Sequence, residues 1–109
     1  FHCALMKPAQ ERLRANLDAT EFADLACPLI NNWQAREIRL GGDAREGLYQ
    51  QVPNPVRWLE SVRLLASSGV ERAFESGAGS VLAGLVRAIA PAITVVKAGE
   101  AADFDTIGA

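Results

Sequence analysis

The chain has 109 residues, half of them apolar and 22% charged, with a formal net charge of -2. This length allows one modest domain with its own core, and the charge balance lacks the basic excess that is typical of nucleic-acid-binding proteins. No apolar run approaches the roughly 20 residues of a membrane-spanning helix, and no signal-peptide pattern opens the sequence, so neither nucleic acid nor a membrane is expected as a partner.

The first predicted element is a helix near the start of the chain. Apolar side chains recur there every four residues, which is typical of one helix face: Leu5, Ala9, Leu13 and Leu17. Pro8 has no amide hydrogen and fits only in a first helical turn, so the helix is expected to begin between Ala4 and Lys7. His2 then lies in the loop that enters this helix.

Two short extended pieces and a second helix are predicted next. Residues 28–30 have a strand composition, and residues 36–40 alternate polar and apolar side chains as a half-exposed edge strand does. A glycine pair is expected to end the second strand. Asp43 and Glu46 then have the spacing of a capping box, which predicts a short helix from Asp43 to about Gln51.

The second half of the chain alternates helices and strands. Asn54 as N-cap and Pro55 as first helical residue predict a helix, and Gly69 suits the left-handed conformation that ends one. A strand, a tight turn, a helix, a strand and a short terminal helix are predicted to follow at residues 70–74, 77–80, 81–90, 93–96 and 103–107. This alternation predicts an α/β fold with largely parallel strands flanked by helices.

His2 is the only histidine of the chain. Histidine is the side chain that most often transfers protons near neutral pH, but a general base needs a nucleophile. The sequence has no Gly-x-Ser-x-Gly segment to provide one. From the residues alone, a surface histidine and a site residue are equally good interpretations.

The remaining candidates for chemistry have ordinary contexts. Gly77 and Gly79 precede a predicted helix, but Leu82 occupies the third glycine position of a dinucleotide fingerprint, so a tight turn is favoured over a nucleotide site. Cys3 and Cys27 lack metal-site spacing and are expected to be reduced, with Cys27 a small buried packing residue. Two carboxylate pairs are expected to be solvated surface charge: Glu71 with Glu75, and Asp103 with Asp105.

Four segments, in order, resemble the malonyl-CoA:acyl carrier protein transacylases. Residues 1–9 (FHCALMKPA) are similar to the family's histidine segment, and residues 28–32 (PLINN) to its strand ending in asparagine. Residues 51–58 (QVPNPVRW) and 74–85 (FESGAGSVLAGL) resemble its Pro-Val-Arg/Gln-Trp and Glu-x-Gly-Pro-Gly-x-x-Leu-x-Gly-Leu blocks. The resemblance covers about the first 90 residues, and Ala78 stands where the family usually has proline.

The resemblance implies transfer of a malonyl group from coenzyme A to the phosphopantetheine thiol of acyl carrier protein, through a serine-bound acyl-enzyme, in fatty acid biosynthesis. His2 matches the histidine that activates the serine and then the thiol. Gln51 matches the residue whose main-chain carbonyl orients this histidine. Phe1 matches a phenylalanine that accompanies malonyl selection, and is expected to wall the acyl pocket. No cofactor or metal is implied, and malonyl-CoA is a substrate.

The resemblance also implies where this sequence belongs in the family's fold. Residues 1–109 match the C-terminal portion of the large, α/β-hydrolase-like acyltransferase subdomain, without the serine-bearing part or the ferredoxin-like subdomain. The chain alone is therefore expected to be inactive and to partner the missing N-terminal portion of its own chain, in the cytoplasm. Five basic residues are candidates for binding an acidic carrier protein: Lys7, Arg12, Arg57, Arg63 and Arg87.

Two alternatives remain open at this point. The parent could be the acyltransferase domain of a polyketide synthase or of a multidomain fatty acid synthase, which uses the same chemistry. A non-catalytic α/β interaction module is the alternative of another class, and it predicts that residues 1–109 fold cooperatively on their own.

Overall fold

The computed structural model describes residues 1–107, with only the backbone described at Thr106. The chain divides into two compact units, Phe1–Ser61 and Val62–Ala109. Its helices and strands are α1 (Lys7–Ala19), β1 (Leu29–Ile30), β2 (Glu37–Ile38), α2 (Gly41–Gln50), α3 (Trp58–Ser67), β3 (Arg72–Ser76), α4 (Val81–Ile89), β4 (Thr94–Ala98) and α5 (Phe104–Ile107). Short 3₁₀ turns precede α1 and α5, at Ala4–Met6 and Ala101–Asp103.

The predicted α/β class is confirmed, with one parallel and one antiparallel strand pair among the described residues. In the first unit, β1 and β2 pair antiparallel. In the second unit, β3 and β4 pair in parallel, with α4 as the crossover between them. Within residues 1–107, no helix has both the length and the apolar composition needed to cross a bilayer.

Helix α1 begins within the predicted range, but it buries a different face. Pro8 lies in the first turn, as its missing amide hydrogen requires. Leu5, expected on the apolar face, is 88% exposed. Gln10, which lies outside the predicted stripe, is buried together with Leu17. The buried face is therefore rotated relative to the predicted stripe and includes a polar side chain.

Helix α2 begins two residues earlier than the capping-box pattern predicts, at Gly41 rather than at Asp43. The Gly41 amide donates a hydrogen bond of 3.0 Å to the Asp24 carboxylate, so the cap comes from a distant segment. A Cβ atom at Gly41 would overlap the carbonyl oxygen of Phe22. The glycine pair therefore lies in the first turn of a helix. Only a glycine fits at the first of the two positions, where the backbone contacts residues 22–24.

Helix α3 begins at Trp58, so the prediction of a start at Asn54-Pro55 was wrong. The side-chain amide of Asn54 instead donates a 2.7 Å hydrogen bond to the Gln50 carbonyl, which is one of the open acceptors at the end of α2. The Arg57 amide donates 2.9 Å to the Asn32 carbonyl. These two bonds fix both ends of residues 54–57, which have no regular secondary structure.

The second unit follows the predicted order with shifted strands. Gly69 has φ 81°, and the Val70 amide donates to the Leu65 carbonyl at 3.1 Å, which is the wrapping bond of a Schellman ending. Because this ending uses residues 69 and 70, β3 starts two residues later than predicted, at Arg72. Its partner β4 starts one residue late, with Arg72 opposite Thr94. The predicted short terminal helix is confirmed as α5, and residues 108 and 109 lie outside the described residues.

We expect Gly41→Ala and Gly42→Ala to have opposite effects on the free energy of unfolding. At Gly41 the added methyl group meets backbone, with the Ala23 carbonyl oxygen also only 2.6 Å away, so the loss should be about 1–3 kcal/mol. At Gly42 nothing lies within 4 Å, so alanine should stabilise the helix by about 0.5–1 kcal/mol. Urea denaturation measures both variants, and equal effects would contradict this account of the start of α2.

Candidate functional site

The His2 ring is hydrogen-bonded to the main chain at the end of α2. Its Nδ1 atom lies 2.8 Å from the Gln51 carbonyl oxygen, 49 residues along the chain. A carbonyl can only accept a hydrogen bond, so Nδ1 carries the proton in this contact. Nε2 then keeps its lone pair and can accept a proton, and the exposed side chain leaves it accessible.

The His2 backbone has a conformation that side-chain-bearing residues rarely adopt. Its φ is 57°, in the left-handed region, which disfavours a residue with a Cβ by roughly 1–2 kcal/mol. The chain then enters the 3₁₀ turn, where the Met6 amide donates 2.9 Å to the Cys3 carbonyl. Strained backbone of this kind persists where surrounding bonds fix it, and it is frequent at functional sites.

The Gln51 carbonyl is free to accept from His2 because of where α2 ends. The Gln51 amide closes the last turn with a 3.0 Å bond to the Gly47 carbonyl, and Gln51 keeps helical dihedral angles. No residue follows in the helix to donate to its carbonyl, which is one of the four acceptors left open at any helix C-terminus. The side chain of Gln51 takes no part in the contact.

Phe1, the third residue expected at the site, is 99% exposed. A ring this exposed does not by itself form a pocket wall, so the expected part of Phe1 in an acyl pocket stays a prediction. Gln51 does border a small cavity of about 140 Å³ in the first unit. This cavity has mainly apolar walls from β1 and α2, with Leu29, Ile30, Asn31, Asn32, Ala44, Gly47 and Leu48 beside Gln51.

Sequence reasoning missed Gln10, a buried polar residue close to the histidine contact. Gln10 is 6% exposed, and its amide nitrogen donates 3.0 Å to the Tyr49 carbonyl. A signal was present, because Gln10 lies in helical register with Met6, Leu13 and Leu17. A polar residue in an apolar stripe indicates a buried hydrogen bond.

Glu75 was also wrongly assigned, since it is buried rather than solvated. Only 8% of Glu75 is exposed, and its carboxylate accepts from the Leu82 and Ala83 amides at 3.0 and 2.9 Å. These are N-terminal amides of α4, the groups that a phosphate would use. The glycine turn ahead of α4, with positive φ at Gly77 and Gly79, is therefore a tight turn whose helix already holds an anion.

Asp103 is likewise more than a solvated charge. Its carboxylate accepts from the Glu100 and Gly99 amides, both at 2.9 Å. These backbone hydrogen bonds, the Glu100 one first, hold the pKa of Asp103 below its ordinary value. The carboxylate therefore shapes the turn into α5.

The cysteines and acidic residues form no obvious site in the part of the chain that is described. Cys3 and Cys27 are both exposed and free, so the expected burial of Cys27 was wrong. Cys3 neighbours His2 only in sequence, without a hydrogen bond between the side chains. Over residues 1–107, no group of three or more His, Cys, Asp or Glu side chains could hold a metal ion.

Two curated relatives of this chain are named as transacylases, and a third is named as a polyketide biosynthesis protein. The chain is 40% identical over 93 residues to the malonyl CoA-acyl carrier protein transacylase of Escherichia coli, covering 85% of the chain and 30% of that protein. It is 42% identical over 89 residues to the Bacillus subtilis protein of the same name, covering 82% and 28%. A polyketide biosynthesis protein, ThaF of Burkholderia thailandensis, is 37% identical over 91 residues, or 84% of the chain and 8% of ThaF.

Solved structures of malonyltransferases have a fold similar to that of this chain. An acyl carrier protein S-malonyltransferase from Vibrio cholerae matches with a TM-score of 0.89 at 36% identity, covering 97% of the chain and 35% of that structure. A type II PKS acyl-carrier protein in complex with its malonyl-transacylase (PlMCAT:AntF) gives 0.88 at 35% identity, covering 96% and 34%. No protein-family model matches. The predicted resemblance is confirmed, and the chain spans about 30% of its curated transacylase relatives.

Because the contact uses the main chain of Gln51, we expect the Gln51→Ala variant to keep the His2 proton on Nδ1. Gln51→Pro should lose this preference, because proline removes the amide that bonds the Gly47 carbonyl and disfavours the helical conformation of Gln50. ¹⁵N spectra of the histidine ring distinguish the two tautomers. A mixed tautomer in Gln51→Ala would show that the side chain orients the ring.

Proposed function

Because this chain is a relative of the malonyl CoA-acyl carrier protein transacylases, we propose that it supplies the histidine part of a malonyltransferase active site. The enzyme moves a malonyl group from coenzyme A to the phosphopantetheine thiol of an acyl carrier protein, as part of fatty acid biosynthesis. The observation that carries the proposal is the 2.8 Å contact between His2 Nδ1 and the Gln51 carbonyl. This contact leaves Nε2 as a base with a fixed direction.

In the first half-reaction, Nε2 of His2 takes the proton of a serine hydroxyl while the serine oxygen attacks the malonyl thioester carbon. The tetrahedral intermediate collapses by breaking the carbon–sulfur bond. The coenzyme A thiolate leaves and takes the proton from His2. The malonyl group is now an ester of the serine, and His2 is neutral again.

In the second half-reaction, His2 Nε2 takes the proton of the phosphopantetheine thiol, whose sulfur attacks the serine ester. The serine oxygen leaves with the proton from His2, and malonyl carrier protein departs. Throughout, Nδ1 keeps its hydrogen bond to the Gln51 carbonyl, so the ring holds one orientation for both steps. A carbonyl does this without a full negative charge, unlike the aspartate of a Ser-His-Asp triad.

The serine and the remaining active-site groups belong to a segment outside residues 1–109, and this chain is the C-terminal portion of the large acyltransferase subdomain. The absence of a Gly-x-Ser-x-Gly sequence supports this. Unusual apolar exposure on α4 also supports it, since Val81, Leu82 and Leu85 are 73%, 41% and 45% exposed. Contiguous apolar surface of this kind marks an interaction face, which the serine-bearing portion of the enzyme covers.

The carrier protein is the macromolecular partner of the proposed enzyme, in the cytoplasm, and PlMCAT:AntF is a solved complex of this kind. Of the five basic candidates for its binding, Arg57 is engaged within the first unit. Its guanidinium bonds the Glu60 carboxylate at 3.1 Å and the Gln34 carbonyl at 3.3 Å. Four others remain candidates: Lys7, Arg12, Arg63 and Arg87.

A second candidate is an acyltransferase of polyketide biosynthesis, favoured by the 37% identity to ThaF. It uses the same histidine chemistry on a different carrier protein. Transfer rates with carrier proteins of the fatty acid and polyketide types would separate the two. The interaction-module alternative gives no reason for the His2–Gln51 contact, and is disfavoured.

In the full-length enzyme, we expect His2→Ala to lower malonyl transfer to carrier protein by about 10²–10⁴-fold, the usual contribution of a general base. Cys3→Ala is the matched control, because it removes the adjacent exposed thiol and should leave the rate within about twofold. Transfer is measured by mass spectrometry of the carrier protein. Near-normal transfer by His2→Ala would contradict the proposed function.

Phe1 is proposed as a wall of the acyl pocket that limits branching at the malonyl α-carbon. Phe1→Ser should raise the preference for methylmalonyl-CoA relative to malonyl-CoA by roughly 10–200-fold, the range for one methyl group in an apolar pocket. Competition assays with both thioesters give the ratio of kcat/KM values. An unchanged ratio would remove Phe1 from the pocket without affecting the role of His2.

A further inference from the structure

Three consecutive main-chain carbonyls end helix α2, and each accepts a hydrogen bond from a side chain. The Tyr49 carbonyl accepts from Gln10 Nε2 at 3.0 Å, the Gln50 carbonyl from Asn54 Nδ2 at 2.7 Å, and the Gln51 carbonyl from His2 Nδ1 at 2.8 Å. We name these three acceptors the carbonyl row. Helix ends leave such carbonyls open, and here different segments of the first unit satisfy them.

Two of the three donors come from the same short segment of chain. His2 lies just before the 3₁₀ turn Ala4–Met6 and Gln10 lies in the first turns of α1, eight residues later. The segment therefore bonds the carbonyl row twice, at Tyr49 and at Gln51. Its outer contact, from His2, is exposed, whereas its inner contact, from Gln10, is buried.

The inner contact is the stronger constraint on geometry. Gln10 is 6% exposed and Tyr49 8% exposed, so water cannot replace the bond between them. A buried amide or carbonyl without a partner is unfavourable by about 1–3 kcal/mol. The outer contact has no such protection, and His2 holds it in a strained backbone conformation with φ 57°.

From this arrangement we infer that Gln10 is a positioning residue for His2. By fixing the start of α1 to the Tyr49 carbonyl, Gln10 holds the His2 backbone at the distance from which Nδ1 reaches the Gln51 carbonyl. The role rests on the proposed function, because its consequence is the direction of Nε2 toward the reacting groups. Gln10 itself touches neither the substrate nor the histidine.

The same two helices share a second connection that does not involve the carbonyl row. The Tyr49 hydroxyl donates to the Glu11 carboxylate, and the Arg14 guanidinium lies 4.0 Å from the centre of the Tyr49 ring. Removing the hydroxyl weakens the attachment of α1 to α2 without changing any row carbonyl or its donor. Tyr49 therefore provides an internal comparison between general loosening and positioning of His2.

The test uses the full-length enzyme that contains this chain, with ¹⁵N-labelled histidine and the His2 signals assigned by their loss in His2→Ala. We expect Gln10→Leu to shift His2 from the Nδ1–H form toward a mixture of tautomers. Its kcat should fall about tenfold with little change in KM for malonyl-CoA, because misplacement of a catalytic group by about 1 Å lowers rates by up to about 10²-fold. Gln10→Asn, too short by one methylene to reach the Tyr49 carbonyl, should act in the same direction and serves if Gln10→Leu does not fold.

Tyr49→Phe is the matched control and should lower thermal stability while keeping the His2 tautomer and kcat. A wild-type tautomer and kcat in both Gln10 variants would overturn the inference. Equal changes in Tyr49→Phe and the Gln10 variants would also overturn it, because they would reflect general loosening. Failure of the proposed function is a separate outcome, seen as normal transfer by His2→Ala with the tautomer effects of Gln10 intact.

Discussion

The candidate site depends on the carbonyls at the end of helix α2 that have no partner within the helix. A helix C-terminus presents acceptors that the helix itself cannot satisfy. In this chain one of them, at Gln51, fixes the tautomer of the only histidine. The orienting group of the proposed base is thus a feature of backbone geometry. Its position is determined by where α2 begins and ends.

The first residue of α2 is determined by contacts with a segment distant in sequence. Residues 22–24 leave room only for a glycine at the first helical position, and Asp24 accepts its amide hydrogen. Asn54 then satisfies the Gln50 carbonyl at the other end. Helix α4 shows the opposite case, since its N-terminal amides are occupied by Glu75. At the C-terminus of α2 and at the N-terminus of α4, a side chain supplies the hydrogen-bond partner that the helix backbone lacks.

Local sequence patterns correctly predicted the turns and helix ends that depend only on the backbone geometry of neighbouring residues. The placement of Pro8 in the first turn of α1, the left-handed ending at Gly69 and the glycine turn before α4 all depend on the dihedral angles open to proline and glycine. The predicted starts of α2 and α3 were wrong, because both depend on distant segments. Asp24 binds the first residue of α2, and the Asn32 carbonyl binds the Arg57 amide just before α3. The burial of Gln10 was missed although its helical register with apolar residues indicated it, and the burial of Glu75 depends on the N-terminal amides of α4. His2 and Gln51 were found by family resemblance, since nothing in the spacing of 49 residues predicts their contact.

The proposed active site requires Nε2 of His2 to face a serine supplied by another part of the enzyme. A crystal structure of the full-length protein, with the malonyl group trapped on its nucleophile, tests this most directly. We expect a malonyl ester on a serine outside residues 1–109, with the serine oxygen beside His2 Nε2 and Nδ1 still on the Gln51 carbonyl. A malonyl group attached elsewhere, with Nε2 facing only solvent, would contradict it.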